Sequence, residues 1–213
     1  MKNIYSIFLG LLLVLVNFSC DDFLDAYPND SVPENKFWQS ESDLTKFVTD
    51  IYASTFPVDN EGAIFFEALS DNSYMVWDGW YTDVKLAANG TQDAYGTTPQ
   101  NLWTNYYSSV RKCAQVFANV DKMTSIDEKI KNRLLAETKF LMAWDYYRLI
   151  SFFGDVPLVT EVLTTEESKQ LVRQPVDDII TQILNWLDEA SSVLEGEAQE
   201  NGRITWGACL LLK

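Results

Sequence analysis

Residues 133–153, RLLAETKFLMAWDYYRLISFF, constrain the fold more than any other stretch of this chain. The run has helical spacing, yet its apolar residues cover well over half the circumference of the helix rather than a single stripe. Such a helix is stable in water only when neighbours cover it on several sides, so the chain must supply other helices to do so. Ser125, with Glu128 three residues on, predicts a capping box at its start, and Gly154 followed by Pro157 predicts an αL stop after Phe153.

The covering helices can be read around it. Ser40 and Asp43 predict an N-cap and its partner acid, followed by Leu44, Phe47, Val48, Ile51 and Tyr52 at helical spacing, with an end near Phe56 and Pro57. Thr98 and Pro99 predict an N-cap and a proline at the first helical position. The face that follows runs from Trp103 through Tyr106, Tyr107, Val110, Cys113, Ala114 and Phe117 to Val120. Pro175 opens a further helix, with Asp177 and Asp178 at the positive end of its dipole and a stripe from Val176 to Leu194. Thr205 reads as the cap of a last one, WGACLLLK. That helix has no stop signal, and the expectation is a chain that belongs to a longer protein.

Short links between long helices give antiparallel pairs, so the predicted fold is all-α, with stacked helical hairpins in the manner of an α-solenoid and long irregular loops. Ala136, Phe140 and Ala143 have the A-x3-F-x2-A spacing of the second helix of a tetratricopeptide repeat. The regular 34-residue period of such arrays is missing.

The 213 residues carry 31 Asp and Glu against 16 Lys and Arg, and the basic residues form no stripe. Nucleic acid is therefore excluded as a partner, because neutralising phosphates needs clustered cations. The absence of histidine removes the Ser/His/Asp and Cys/His arrangements and the commonest metal ligand. Neither a metal nor a cofactor is expected.

At the start, Lys2 precedes an apolar run that is too short to span a bilayer and closes on Ser19 and Cys20. Residues 1–19 read as a secretory signal, and 20–39, with Pro28 and Pro33, as a tether leading to a helical domain over 40–213. A small residue directly before a cysteine resembles the lipobox of bacterial lipoproteins, which makes Cys20 the lipidation site, although Asn17 and Phe18 depart from that motif. The alternative is an ordinary signal peptide with a stray cysteine. Cys113 and Cys209 fall on apolar faces and read as buried free thiols, with a disulfide as the other possibility for an exported chain.

Between Pro57 and Thr98 lies the longest stretch without a clean period. It holds Tyr74, Trp77, Trp80 and Tyr81 among Asp71, Asn72, Asp78 and Asp83. Flat rings stack on the C–H faces of pyranoses while short polar groups meet the hydroxyls, so these four rings are candidate ligand-binding residues. Trp77, Trp80 and Tyr81, at i, i+3 and i+4, can equally be the buried face of a short helix.

CDDFLDAYP after the leader, LWTNYYSSVRKCAQVFANV, AETKFLMAWDYYRLISFFGDVPLVTEV, and RQPVDDIITQILNWLDEA followed by GRITWGACLLL together resemble the SusD/RagB family of surface lipoproteins. The resemblance implies a tetratricopeptide-like scaffold in the N-terminal portion of a longer protein, anchored by lipid in the outer membrane and facing the exterior. It implies capture of glycans without catalysis and delivery to a SusC-like TonB-dependent transporter. Peptide capture, as in RagB-like members, keeps the same fold. A carboxylate-dependent glycoside hydrolase and a periplasmic helical scaffold are the readings from other classes.

Overall fold

The computed structural model describes residues 37–56, 63–76, 82–93, 95–197 and 201–213, with backbone alone at 63–65, 82 and 83. The proposed signal and tether, Cys20 among them, lie outside the described residues, apart from the tether's last three. The helices are α1 (Glu41–Thr55), α2 (Ala63–Ala68), α3 (Thr82–Ala88), α4 (Thr97–Asn119), α5 (Glu128–Phe153), α6 (Thr165–Ser168), α7 (Val176–Leu194) and α8 (Trp206–Leu212). A 3₁₀ turn, Val120–Lys122, extends α4, and no strand occurs among the described residues beyond the isolated bridge between Val156 and Gln174.

The greasy run is α5, enclosed as expected. Phe140, Leu141, Met142 and Ala143 are consecutive and all buried, which on a helix means that neighbours stand on every side. Those neighbours are α1, α4 and α7. Trp103 near the start of α4 meets Phe153 at the end of α5, so the two run antiparallel. Lys139 reaches Glu189 and Tyr146 packs on Trp186, which makes α7 antiparallel to α5 as well. Ala136, Phe140 and Ala143 are all buried, as the repeat spacing requires.

The N-terminus of α1 is as predicted. The Ser40 hydroxyl accepts the Asp43 N–H at 3.3 Å, and the Asp43 carboxylate accepts the Ser40 N–H at 3.0 Å and its hydroxyl at 2.7 Å. These bonds, the hydroxyl's above all, hold the Asp43 carboxyl below its ordinary pKa.

Two other helix starts differ from expectation. α5 is capped by Asp127, not Ser125: its carboxylate accepts the N–H groups of Lys129 at 2.8 Å and Ile130 at 3.2 Å, two bonds and a charge at the positive end of the dipole where serine offers one bond and none. α4 begins at Thr97 with Gly96 before it, so Pro99 is its third residue rather than its first. Proline is tolerated there because none of the first-turn N–H groups has an intrahelical acceptor.

At the end of α5, Gly154 has φ 65° and ψ −125°. The sign of φ is as expected, but the pair lies in the mirror-β region, open only to glycine, and not in αL. Asp155, next along, bonds far from its own turn. Its carboxylate accepts the N–H of Val176 at 3.1 Å, capping α7 from 21 residues away, because Pro175 has no side-chain oxygen to do so. The loop between is fixed by the Tyr107 hydroxyl, which donates to the Pro157 carbonyl at 2.7 Å, and by the Tyr146 hydroxyl, which accepts the Val159 N–H at 2.6 Å. Burial raises both phenols above their ordinary pKa, keeping them neutral donors.

Cys113 and Cys209 are both buried free thiols. On α7, Ile179, Ile183, Leu187, Ala190 and Leu194 of the stripe are buried, Ile180 is 39% exposed, and Trp186 is buried beside them. The indole completes the cover over Tyr146.

Candidate functional site

The segment that the sequence leaves without a period contains two short helices. α2 ends in a turn in which the Ser70 hydroxyl donates to the Glu67 carbonyl at 2.7 Å and accepts the Asn72 N–H at 3.2 Å. Residues 73–76 then run without regular structure to the described end at Val76. α3 closes in a Schellman motif: Gly90, at φ 68°, sends its N–H to the Ala87 carbonyl at 3.0 Å, and Thr91 sends its own to Leu86 at 2.9 Å. These helices are too short to show a 3.6-residue stripe, which is why periodicity misses them.

Two contacts tie the segment down. Phe66 of α2 stacks on Phe152 with centroids 5.7 Å apart, and the Arg148 guanidinium lies 3.9 Å from the Phe66 centroid. Arg148 also donates from Nε to the Tyr106 hydroxyl at 3.3 Å, so one side chain links α2, α4 and α5. Ala68 and Val84 are buried in the common core.

Tyr74 stands on this base, 66% exposed. The Lys85 ammonium sits 5.5 Å from its ring centroid and donates to the Val76 carbonyl at 3.2 Å, holding the chain on both sides of the ring. Asp71, Asn72 and Ser73, just before it, are exposed. The arrangement is a free aromatic face beside amide, carboxylate, hydroxyl and ammonium groups, chemistry that stacks on a sugar and bonds its hydroxyls.

Trp77, Trp80 and Tyr81 lie outside the described residues. Tyr95, absent from the sequence-based candidates, is 92% exposed, lifted by an Asx turn in which its N–H reaches the Asp93 carboxylate at 2.9 Å. The signal was present as an aromatic inside the turn sequence QDAYG, where nothing can bury it.

Away from this segment, two acids of α5 are buried in the scaffold. Glu137 accepts Nε of Arg133 at 3.2 Å and Nε of Arg203 at 3.3 Å, both on Oε1. Asp145 meets the hydroxyls of Thr55 and Ser109. The Tyr52 hydroxyl accepts the Ile204 N–H at 2.9 Å, so α1 also holds the link between α7 and α8. Among the described residues no cluster of acids and thiols is placed to hold a metal ion, and no helix is long and apolar enough to cross a membrane.

Residues 22–208 match the SusD-like family described as "Starch-binding associating with outer membrane". The chain belongs to that family. A SusD-like protein of Formosa agariphila is 25% identical over 223 residues, an alignment that covers 98% of this SusD-like chain and 42% of the relative. Among solved structures, a SusD-like protein of Bacteroides fragilis is 29% identical with a TM-score of 0.73, covering 86% of this chain and 36% of the other. A laminarin-binding SusD-like protein, 24% identical, superposes with a TM-score of 0.72 over 81% of this chain and 39% of its own. The SusD-like chain spans between 34 and 42% of the length of the curated relatives it matches. Its helical hairpins are the tetratricopeptide-like scaffold of the family.

Proposed function

We propose that this SusD-like chain is the scaffold-bearing part of a lipid-anchored surface protein that captures glycans, without catalysis, and passes them to a SusC-like TonB-dependent transporter. In this reading Cys20 carries the lipid, residues 20–39 form the tether, and Tyr74, Trp77, Trp80 and Tyr81 meet the sugar. The observation that carries it is Tyr74: a large ring left 66% exposed and braced by Lys85 beside a polar run, when burial would be its default. The family description, starch-binding and associated with the outer membrane, supports the same class of ligand and place.

Affinity electrophoresis of the 213-residue chain through gels containing starch, laminarin or other polysaccharides tests it. Retardation by at least one glycan is expected, weakened roughly tenfold in Tyr74→Ala, the equivalent of about 1.4 kcal/mol for a lost stacking ring. Binding of peptides but of no glycan would overturn the reading in favour of a peptide-capturing protein. Release of reducing ends from the polysaccharide would show a glycoside hydrolase instead.

A further inference from the structure

The two buried acids of α5 are held in opposite ways, and the difference points to a device in the scaffold. Glu137 has two guanidinium groups. Among the described residues no cation pairs with Asp145. It is fully buried in the middle of α5, with Oδ2 3.5 Å from the hydroxyl of Thr55, the last residue of α1, and with Ser109 of α4 as its second hydroxyl neighbour. The Thr55 and Ser109 hydroxyls bond each other at 2.9 Å, and Oδ1 has no hydrogen-bond partner among the described residues. The nearby ammonium, Lys112, is engaged with Asp50 at 2.6 Å and with the Ser54 hydroxyl at 2.7 Å.

A bare carboxylate with one unsatisfied oxygen, no cation and no water-accessible face is among the most costly groups a core can hold. The neutral acid has no such difficulty. The Thr55 hydroxyl, 3.5 Å from Oδ2, bonds Ser109 at 2.9 Å, so α1, α4 and α5 meet at one point around the acid. The titratable groups facing it are neutral too: Cys113 on α4 and Tyr146 on α5, both raised chiefly by burial. α1 presents the Thr55 hydroxyl. Burial likewise holds the Asp145 carboxyl well above the usual carboxylate range, against the opposing bonds of Ser109 and Thr55.

We propose that Asp145 is a proton-dependent latch: the folded scaffold keeps it as the neutral acid, and loss of that proton releases the C-terminal turn of α1 from α4 and α5. Above the ordinary carboxylate range the native state binds a proton that the unfolded chain has lost, so stability falls as pH rises until the native carboxyl itself titrates. Over that range the open form gains up to about tenfold in relative population per pH unit, and past the native titration the gain levels off. The latch concerns the scaffold alone, and its failure would leave the glycan reading where it stands.

Native-state hydrogen exchange on the 213-residue chain between about pH 6 and 9, corrected for the intrinsic rate, reads the opening directly. Amides of Ile51 to Thr55 are expected to lose protection with rising pH by up to about tenfold per unit in the wild type, and to show no such slope in Asp145→Asn, whose amide cannot ionise. Equal slopes in both proteins would overturn the latch. Should the variant fail to fold, carbon-13 labelling of aspartate in the wild type decides: one carboxyl still protonated at neutral pH is expected, and its absence would sink the proposal.

Discussion

The scaffold of α1, α4, α5 and α7 and the segment from Ala63 to Gly96 are built by different rules. In the scaffold, helices of 15 to 26 residues bury continuous faces, and buried hydroxyls such as Thr55 and Ser109 bond from one helix to another. In the segment, helices of six and seven residues are held by a few anchors, Phe66, Ala68 and Val84, while Tyr74 and Tyr95 stand in solvent. Cooperative burial makes the first region rigid and tolerant of surface change. The second keeps its rings available because little is packed over them, as binding segments on rigid scaffolds usually do.

Four substitutions break or sharpen this contrast. The largest loss is expected for Glu137→Ala, which removes the buried carboxylate shared by Arg133 and Arg203, each largely buried; about 3–5 kcal/mol is expected in urea unfolding. Gly154→Ala comes next. The space around it is open, so the whole loss, about 1–3 kcal/mol, comes from forcing a β-carbon into a φ of 65°. Ser40→Ala removes the cap of α1 and is expected to cost about 1 kcal/mol at neutral pH. Because the Asp43 carboxyl is held below its ordinary value by Ser40, that part of the stability is present above the unfolded pKa and is lost as pH falls through the folded one. The gap between wild type and variant should therefore narrow below about pH 4 in thermal melts. Tyr74→Ala is expected to change stability by less than about 0.5 kcal/mol, while its effect on glycan retention is the one described above. A large stability loss there would move Tyr74 into the scaffold and dissolve the contrast.

The long helices were legible because amphipathic spacing and capping residues act within a few positions of one another. Leu44, Val48 and Ile51, or Ile183, Leu187 and Leu194, can be assigned to the core from spacing alone. Capping was read less well where two donors competed, as at Ser125 and Asp127, or where the cap came from afar, as with Asp155 and Val176. Of the candidate site, Tyr74 could be named from its polar neighbours, but neither α2 nor α3 could be found, and Tyr95 was passed over because a turn, not a period, exposes it.

By itself the sequence determined that this chain is helical, that α5 must be surrounded and that Cys113 and Cys209 are buried, since these rest on local spacing; its resemblance to surface glycan-capture proteins is carried by whole segments and their order. Only the tertiary structure decided which acids inside the core are paired. Glu137 and Asp145 are eight positions apart on the same helix and look alike in the sequence. One meets Arg203, 66 residues away, and the other meets Thr55, 90 residues away. The charge state of a buried carboxyl depends on what lies within a few ångströms of it, and that is set by packing rather than by neighbours along the chain.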